Sequence, residues 1–169
     1  QDLMQAIRML RDAGHDARLV IAGEDDAGGT GYRRVIEARI AELDLDDAVT
    51  LLGAVSEGEV RRHLLEAHVF ALASWHEPLG VALMEAMSCE VPTIGTAAGG
   101  VAELIRDGQD GILVPPRDPP AMVDAILRLA GDPDLARRLG QAGRERIVSG
   151  FGAEAGAETL IRLVAETRG

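Results

Sequence analysis

Val69-Phe70-Ala71-Leu72-Ala73-Ser74-Trp75-His76-Glu77-Pro78-Leu79-Gly80-Val81-Ala82-Leu83-Met84-Glu85-Ala86-Met87 changes character twice. The first five residues form an apolar run of the length expected for a buried parallel strand. Residues 74–78 are turn-like. After Gly80 the residues are good helix formers. The stretch therefore reads as strand, loop and helix, with one carboxylate in the loop and another inside the helix.

The same alternation continues outward from this unit. Residues 1–13 place Leu3, Ala6, Ile7 and Leu10 at i, i+3, i+4 and i+7, the stripe of an amphipathic helix that Gly14 stops. Further strands are expected at 17–22, 48–52, 92–96 and 111–114. Further helices are expected at 32–43, from a Ser56/Glu59 capping box to about 67, and at 101–106, 120–130, 134–148 and 153–168. Residues 24–31 are acidic and Gly-rich, and read as a mobile, solvated connector. They lack the Gly-x-Gly-x-x-Gly order of a dinucleotide loop. Strand alternating with helix predicts an α/β fold: a Rossmann-like, doubly wound parallel sheet with helices on both faces. One domain spans 1–169, with ligand at the carboxyl ends of the strands.

The central unit has a chemistry that suits a nucleotide sugar. A helix N-terminus offers unpaired N–H groups and the positive end of the dipole, so a diphosphate can rest on the amides of Leu79, Gly80 and Val81, beside Pro78. Gly80 has no Cβ to keep an anion away. Carboxylates accept hydrogen bonds from vicinal hydroxyls. Eight helical residues span about 12 Å, so one of Glu77 and Glu85 can reach the sugar and the other the ribose, with the phosphates between. Gly99 and Gly100 open a later helix, a second positive N-terminus expected near the diphosphate.

Composition excludes several alternatives. The net charge of −11 over 169 residues disfavours nucleic-acid binding. An anionic donor must then be held by local dipoles and individual arginines. There is no apolar run near 18 residues and no N-terminal signal pattern, so a membrane span is not expected. The single cysteine, Cys89, fits a reducing cytoplasm. All 17 basic residues are Arg. Without lysine, a P-loop, a Schiff-base enzyme and a receiver-type phosphorylation domain all lose a required group.

Glu77 and Glu85, with seven residues between them, resemble the paired-glutamate signature of retaining glycosyltransferases with the GT-B fold, especially family 4. The resemblance continues through Glu85-Ala86-Met87-Ser88-Cys89-Glu90-Val91-Pro92-Thr93-Ile94, Gly99-Gly100-Val101-Ala102-Glu103-Leu104 and Asp110-Gly111-Ile112-Leu113-Val114-Pro115-Pro116-Arg117-Asp118. Leu52-Gly53-Ala54-Val55-Ser56 is similar to the family's loop beside the nucleobase, which implies Gly53, Val55 and Ser56 as donor contacts. The resemblance covers nearly the whole chain. It implies the C-terminal, donor-binding half of a two-domain enzyme that transfers a hexose from a nucleotide diphosphate sugar, with Glu77 as the catalytic-site glutamate. It implies no metal and no other cofactor. Glu90 departs from the pattern, since many relatives carry Gly there.

The family's pattern also places a strand before the first helix seen here, then an Arg and a Lys-Gly that grip the diphosphate. Gln1-Asp2-Leu3 matches the start of the helix just beyond. The expectation is that these groups and the acceptor domain lie outside this chain, which alone does not transfer sugar. Peripheral membrane contact would then come only through the absent domain. The lost strand would lie between the strands at Leu19 and Val69. An upstream segment, a partner chain or closure of the two strands is expected to fill that place.

Other residues carry less. His76 is expected on the rim, His63 and His68 do not share a helix face, and Cys89 is expected to pack beneath Glu85. Trp75 either walls the pocket or covers the sheet edge. A non-catalytic nucleotide-binding or interaction module, or a nucleotide-sugar epimerase of similar architecture, remains the alternative.

Overall fold

A computed structural model describes residues 1–24 and 31–151. Most of the connector expected at 24–31, and the helix expected at 153–168, lie outside the described residues.

Helices and strands alternate as α1 (Asp2–Asp12), β1 (Leu19–Ala22), α2 (Tyr32–Glu42), β2 (Val49–Gly53), α3 (Glu57–Glu66), β3 (Phe70–Leu72), α4 (Val81–Ser88), β4 (Thr93–Thr96), α5 (Val101–Leu104) and β5 (Ile112–Val114). Two longer helices follow, α6 (Pro119–Gly131) and α7 (Pro133–Gly150). Asp118 caps α6 by accepting from Ala121 N at 3.0 Å, and Asp132 caps α7 by accepting from Leu135 N at 2.9 Å. Proline opens each of these helices, at a position where its missing N–H costs nothing.

All strand pairs are parallel. β1 pairs with β2 in one sheet, and the other has the order β3-β4-β5. Two helices hold the sheets side by side. On α1, Ala6 joins Ile94 and Val114 in one cluster, while Met4, Ile7 and Leu10 join Val49 in another. On α6, Met122, Ala125 and Leu129 pack in the first cluster, while Val123, Ile126 and Leu127 reach the second. The other core around β3 and β4 is made by Leu83, Met87, Val101, Leu104, Ile105 and Ile147, from α4, α5 and α7.

The expected filling between the strands at Leu19 and Val69 is not seen among the described residues. β1 and β3 are unpaired with each other and belong to separate sheets. The expectation assumed that these edges would be shut away from water. They are not: Val20 is 48% exposed, Ala22 is exposed, and Phe70, Ala71 and Leu72 are only half-buried. Backbone groups on such edges are open to solvent, unlike those of a dry gap.

The helix expected at 101–106 is also shorter, ending at Leu104. The Asp110 carboxylate takes the Arg106 backbone N–H at 2.6 Å and the Arg106 Nε at 2.5 Å. This buried aspartate bends the chain into β5, and Asp107 accepts from Leu113 N at 2.9 Å on the edge of that strand. Glu90 sits beyond α4 with φ 60°, which explains why glycine suits the position. Gly140 of α7 lies against the Glu90 carbonyl so closely that a Cβ there would overlap it.

Among the described residues no helix is long and apolar enough to cross a membrane. Thr93 Oγ1, in β4, is buried without a hydrogen-bond partner among the described residues. Removing an unsatisfied buried hydroxyl relieves its desolvation cost, about 1–3 kcal/mol. Thr93→Val should therefore leave the chain at least as stable, measured as the urea midpoint; a clear loss would show that the hydroxyl is bonded.

Candidate functional site

The site lies where β3 leaves the sheet. Its loop, residues 74–80, is pinned at successive points by backbone and side chains from elsewhere. Thr96 Oγ1, at the end of β4, donates to the Ser74 carbonyl. Trp75 Nε1 donates to Asp2 Oδ2 at 2.6 Å, and the Arg117 guanidinium stacks 4.2 Å from the Trp75 ring centroid. Gly100 N donates to the Glu77 carbonyl at 2.9 Å.

Glu77 folds back on its own loop. Its Oε1 accepts from Gly80 N at 3.0 Å and, more weakly, from Leu79 N at 3.4 Å. These amides were expected to hold a diphosphate; in the structure they hold the Glu77 carboxylate. The N-terminus of α4 attracts an anion as the sequence implies, and the chain's own carboxylate takes the first two donors. The N–H groups of Val81 and Ala82 follow, with no side-chain cap on the helix. The Ala82 amide is thus one that the sequence reading did not single out. Gly80, with φ 75°, makes the left-handed turn into the helix. Glu85 stands one turn further along α4, exposed, with its carboxylate unpartnered among the described residues.

Gly99 and Gly100 are brought directly against this loop, in a different role from the expected one. A Cβ on Gly99 would overlap the Glu77 carbonyl oxygen, and one on Gly100 would overlap that of Pro78. The Gly100 amide is committed to Glu77, and α5 behind it is a single turn. The diglycine braces the loop by close backbone contact.

The loop after β2 lies in the other sheet, at the same carboxyl end of the parallel strands. Gly53 turns with φ 71°. Ser56 and Glu59 form the expected capping box: Ser56 N donates to Glu59 Oε2 at 2.9 Å and Glu59 N to Ser56 Oγ at 3.3 Å. Hydrogen bonds from the Ser56 backbone and then its side chain hold the Glu59 carboxyl below its usual range. The Ser56 amide is therefore occupied, leaving Val55 as the part of this loop with its backbone uncommitted to the cap. No hydrogen bond joins this loop to the Glu77 loop among the described residues.

His76 is exposed, as expected of a rim residue. Cys89 packs with Leu64, Ala86 and Val91 between α3 and α4. Among the described residues no group of three His, Cys, Asp or Glu is placed to hold a metal ion. Trp75 does more than wall a pocket or cover an edge, since it joins three segments at once.

Residues 1–146 match the model of the family described as glycosyl transferases group 1. The chain belongs to that family. Among its relatives, this group 1 glycosyl transferase chain is 31% identical over 163 residues to an alpha-D-kanosaminyltransferase of Streptomyces kanamyceticus, covering 96% of the chain and 41% of the relative. The sucrose-phosphate synthase of Thermosynechococcus elongatus superposes with TM-score 0.86 at 33% identity, over 98% of this chain and 41% of that one. The C-terminal domain of a glycosyl transferase group 1 family protein from Francisella tularensis superposes with TM-score 0.77 at 23% identity, over 90% of this chain and 78% of that one. Anabaena Alr3699/HepE, in complex with UDP and glucose, gives 0.84 at 19% identity, over 98% and 44%. The fold is thus the Rossmann-like C-terminal half of a GT-B glycosyltransferase. The chain spans about two fifths of the length of the curated relatives it matches.

The brace makes a prediction about stability. Gly100→Ala should cost about 1–3 kcal/mol, as overpacking against fixed backbone does. Gly108→Ala, also a glycine substitution but with open space around the new Cβ and φ 69°, should cost only left-handed strain of about 1–2 kcal/mol. Urea unfolding of both would test this; a Gly100→Ala chain as stable as the unmodified one would remove the brace.

Proposed function

We propose that this chain binds a nucleotide diphosphate sugar and serves as the donor half of a retaining glycosyltransferase that moves a hexose to an acceptor. The observation that carries this reading is the Glu77 carboxylate braced on the amides of Leu79 and Gly80, with Glu85 one turn into the helix that follows. Bracing through Oε1 leaves Oε2 to accept from sugar hydroxyls. The Val81 and Ala82 amides, at the positive end of α4, then take the diphosphate. Their dipoles stabilise the leaving nucleotide without a metal, since they are already aimed where charge develops. Glu85 accepts from the ribose diol, and the backbone near Val55 lies beside the base.

Three supports come from different sources. The geometry puts two carboxylates on either side of one helix N-terminus. The family is one of glycosyl transferases. A structural neighbour of the same fold is a complex with UDP and glucose. The acceptor, on this reading, is bound by the remainder of a longer protein, so the chain alone binds donor without transferring it.

Glu85→Ala should weaken binding of the free nucleoside diphosphate by about 1.5–3 kcal/mol, the usual loss for a hydrogen bond to a charged acceptor. Calorimetry with UDP, GDP and ADP would measure it, and unchanged affinity in a folded variant would refute the ribose role.

Glu77→Gln should leave nucleoside diphosphate binding nearly intact and weaken the corresponding sugar nucleotide. Equal loss of both ligands would make Glu77 a purely structural residue. Labelled UDP- and GDP-sugars, followed for hydrolysis, epimerisation and transfer, separate this function from an epimerase or a non-catalytic module.

A further inference from the structure

The contact between Arg117 and Trp75 is unusual in three ways. Arg117 holds φ 61°, in the left-handed region where a side chain is disfavoured and glycine is at ease. Its guanidinium has no ion pair or hydrogen bond among the described residues, although the chain carries a net charge of −11. Its contact is with the face of Trp75, at 4.2 Å. A strained backbone and an arginine without a carboxylate would both be simpler to avoid, so the stacking itself is the feature to explain.

Trp75 is also the point where distant parts of the fold meet. Its ring nitrogen donates to Asp2, in the first turn of α1, while Arg117 comes from the loop between β5 and α6. Ser74 before it is held by Thr96, and Glu77, two residues after it, is held through its carbonyl by Gly100. The indole is otherwise half in solvent, 50% exposed. It is not anchored by burial. Without Arg117 and Asp2 little would fix the segment between Ser74 and Glu77.

We propose that Arg117 and Trp75 form a clasp that positions Glu77 for the sugar of the donor, resting on the donor-site reading above. The guanidinium sits over the indole face and restrains its ring plane, and the hydrogen bond to Asp2 restrains its rotation. Together they fix the course of the chain between β3 and Glu77, and with it the place at which the Glu77 carboxylate meets the amides of Leu79 and Gly80. Arg117 acts through Trp75 and is a positioning residue. The diphosphate and ribose contacts lie on α4 itself and do not pass through the clasp.

This separation gives the test. Trp75 is the single tryptophan of the chain, so its emission reports the clasp directly. Arg117→Gly relaxes the left-handed backbone and removes the stack. The thermal midpoint should not fall, emission should shift to the red as the indole gains water, and sugar-nucleotide affinity should drop about fivefold, the worth of an exposed cation–π contact. Affinity for the matching nucleoside diphosphate should stay within about twofold. Calorimetry with UDP, GDP and ADP and their glucose conjugates reads the last two. Arg117→Asn, which also tolerates left-handed backbone, is the second variant should glycine impair folding. Unchanged sugar-nucleotide affinity, equal weakening of both ligands, or unshifted emission would each overturn the clasp. If the unmodified chain binds neither ligand, the donor-site reading falls and the clasp with it; if it binds both and the variants bind both as well, only the clasp falls.

Discussion

Two strips of backbone, Glu77-Pro78 and Gly99-Gly100, touch so closely that no side chain fits between them. The rest of the site depends on that contact. It joins the end of β3 to the end of β4 through peptide groups, which have far fewer soft degrees of freedom than side chains. The hydrogen bond from Gly100 to the Glu77 carbonyl then fixes one end of Glu77, and the amides of Leu79 and Gly80 fix the other. A glutamate held at its backbone carbonyl and at one carboxylate oxygen is preorganised, and an interaction aimed in advance does not have to be reorganised when a ligand arrives.

Local dipoles dominate here because the global field opposes them. With net charge −11, the approach of an anion to the chain is unfavourable at long range, and ordinary salt screens that repulsion beyond about 8–10 Å. What remains at contact distance is the first turn of α4. The same turn holds Glu77, so the chain's own carboxylate registers the pull that a helix N-terminus exerts on a negative charge.

Much of this was legible in the residues. The apolar run at 69–73 and the stripe of Leu3, Ala6, Ile7 and Leu10 encode local periodicity, and the Ser56/Glu59 box encodes contacts three residues apart; both appear as read. Four features were not legible. The short α5 follows from Asp110 competing for the backbone of Arg106, a choice between two local patterns that sequence does not rank. The clasp joins Asp2, Trp75 and Arg117, residues far apart in sequence, and nothing in their types announces the pairing. The separated β1 and β3 edges depend on how much water reaches them, which the packing of α1 and α6 decides and no stretch of sequence states. The second glycine of the Gly99-Gly100 pair was assigned to phosphate because its amide begins a helix; its amide was already spoken for by a residue 23 positions earlier.

The bridging of both sheets by α1 and α6 has a consequence for how the chain is made. α1 is synthesised long before α6, its partner, which does not begin until Pro119. At about 5–20 residues per second, the apolar face of α1 waits several seconds for the helix that completes its seat. The two sheets cannot take their final spacing before then, whatever each has formed by itself. Maturation of this chain is therefore governed by its late segments, and agents that shield an early amphipathic helix during synthesis would have their effect in that interval.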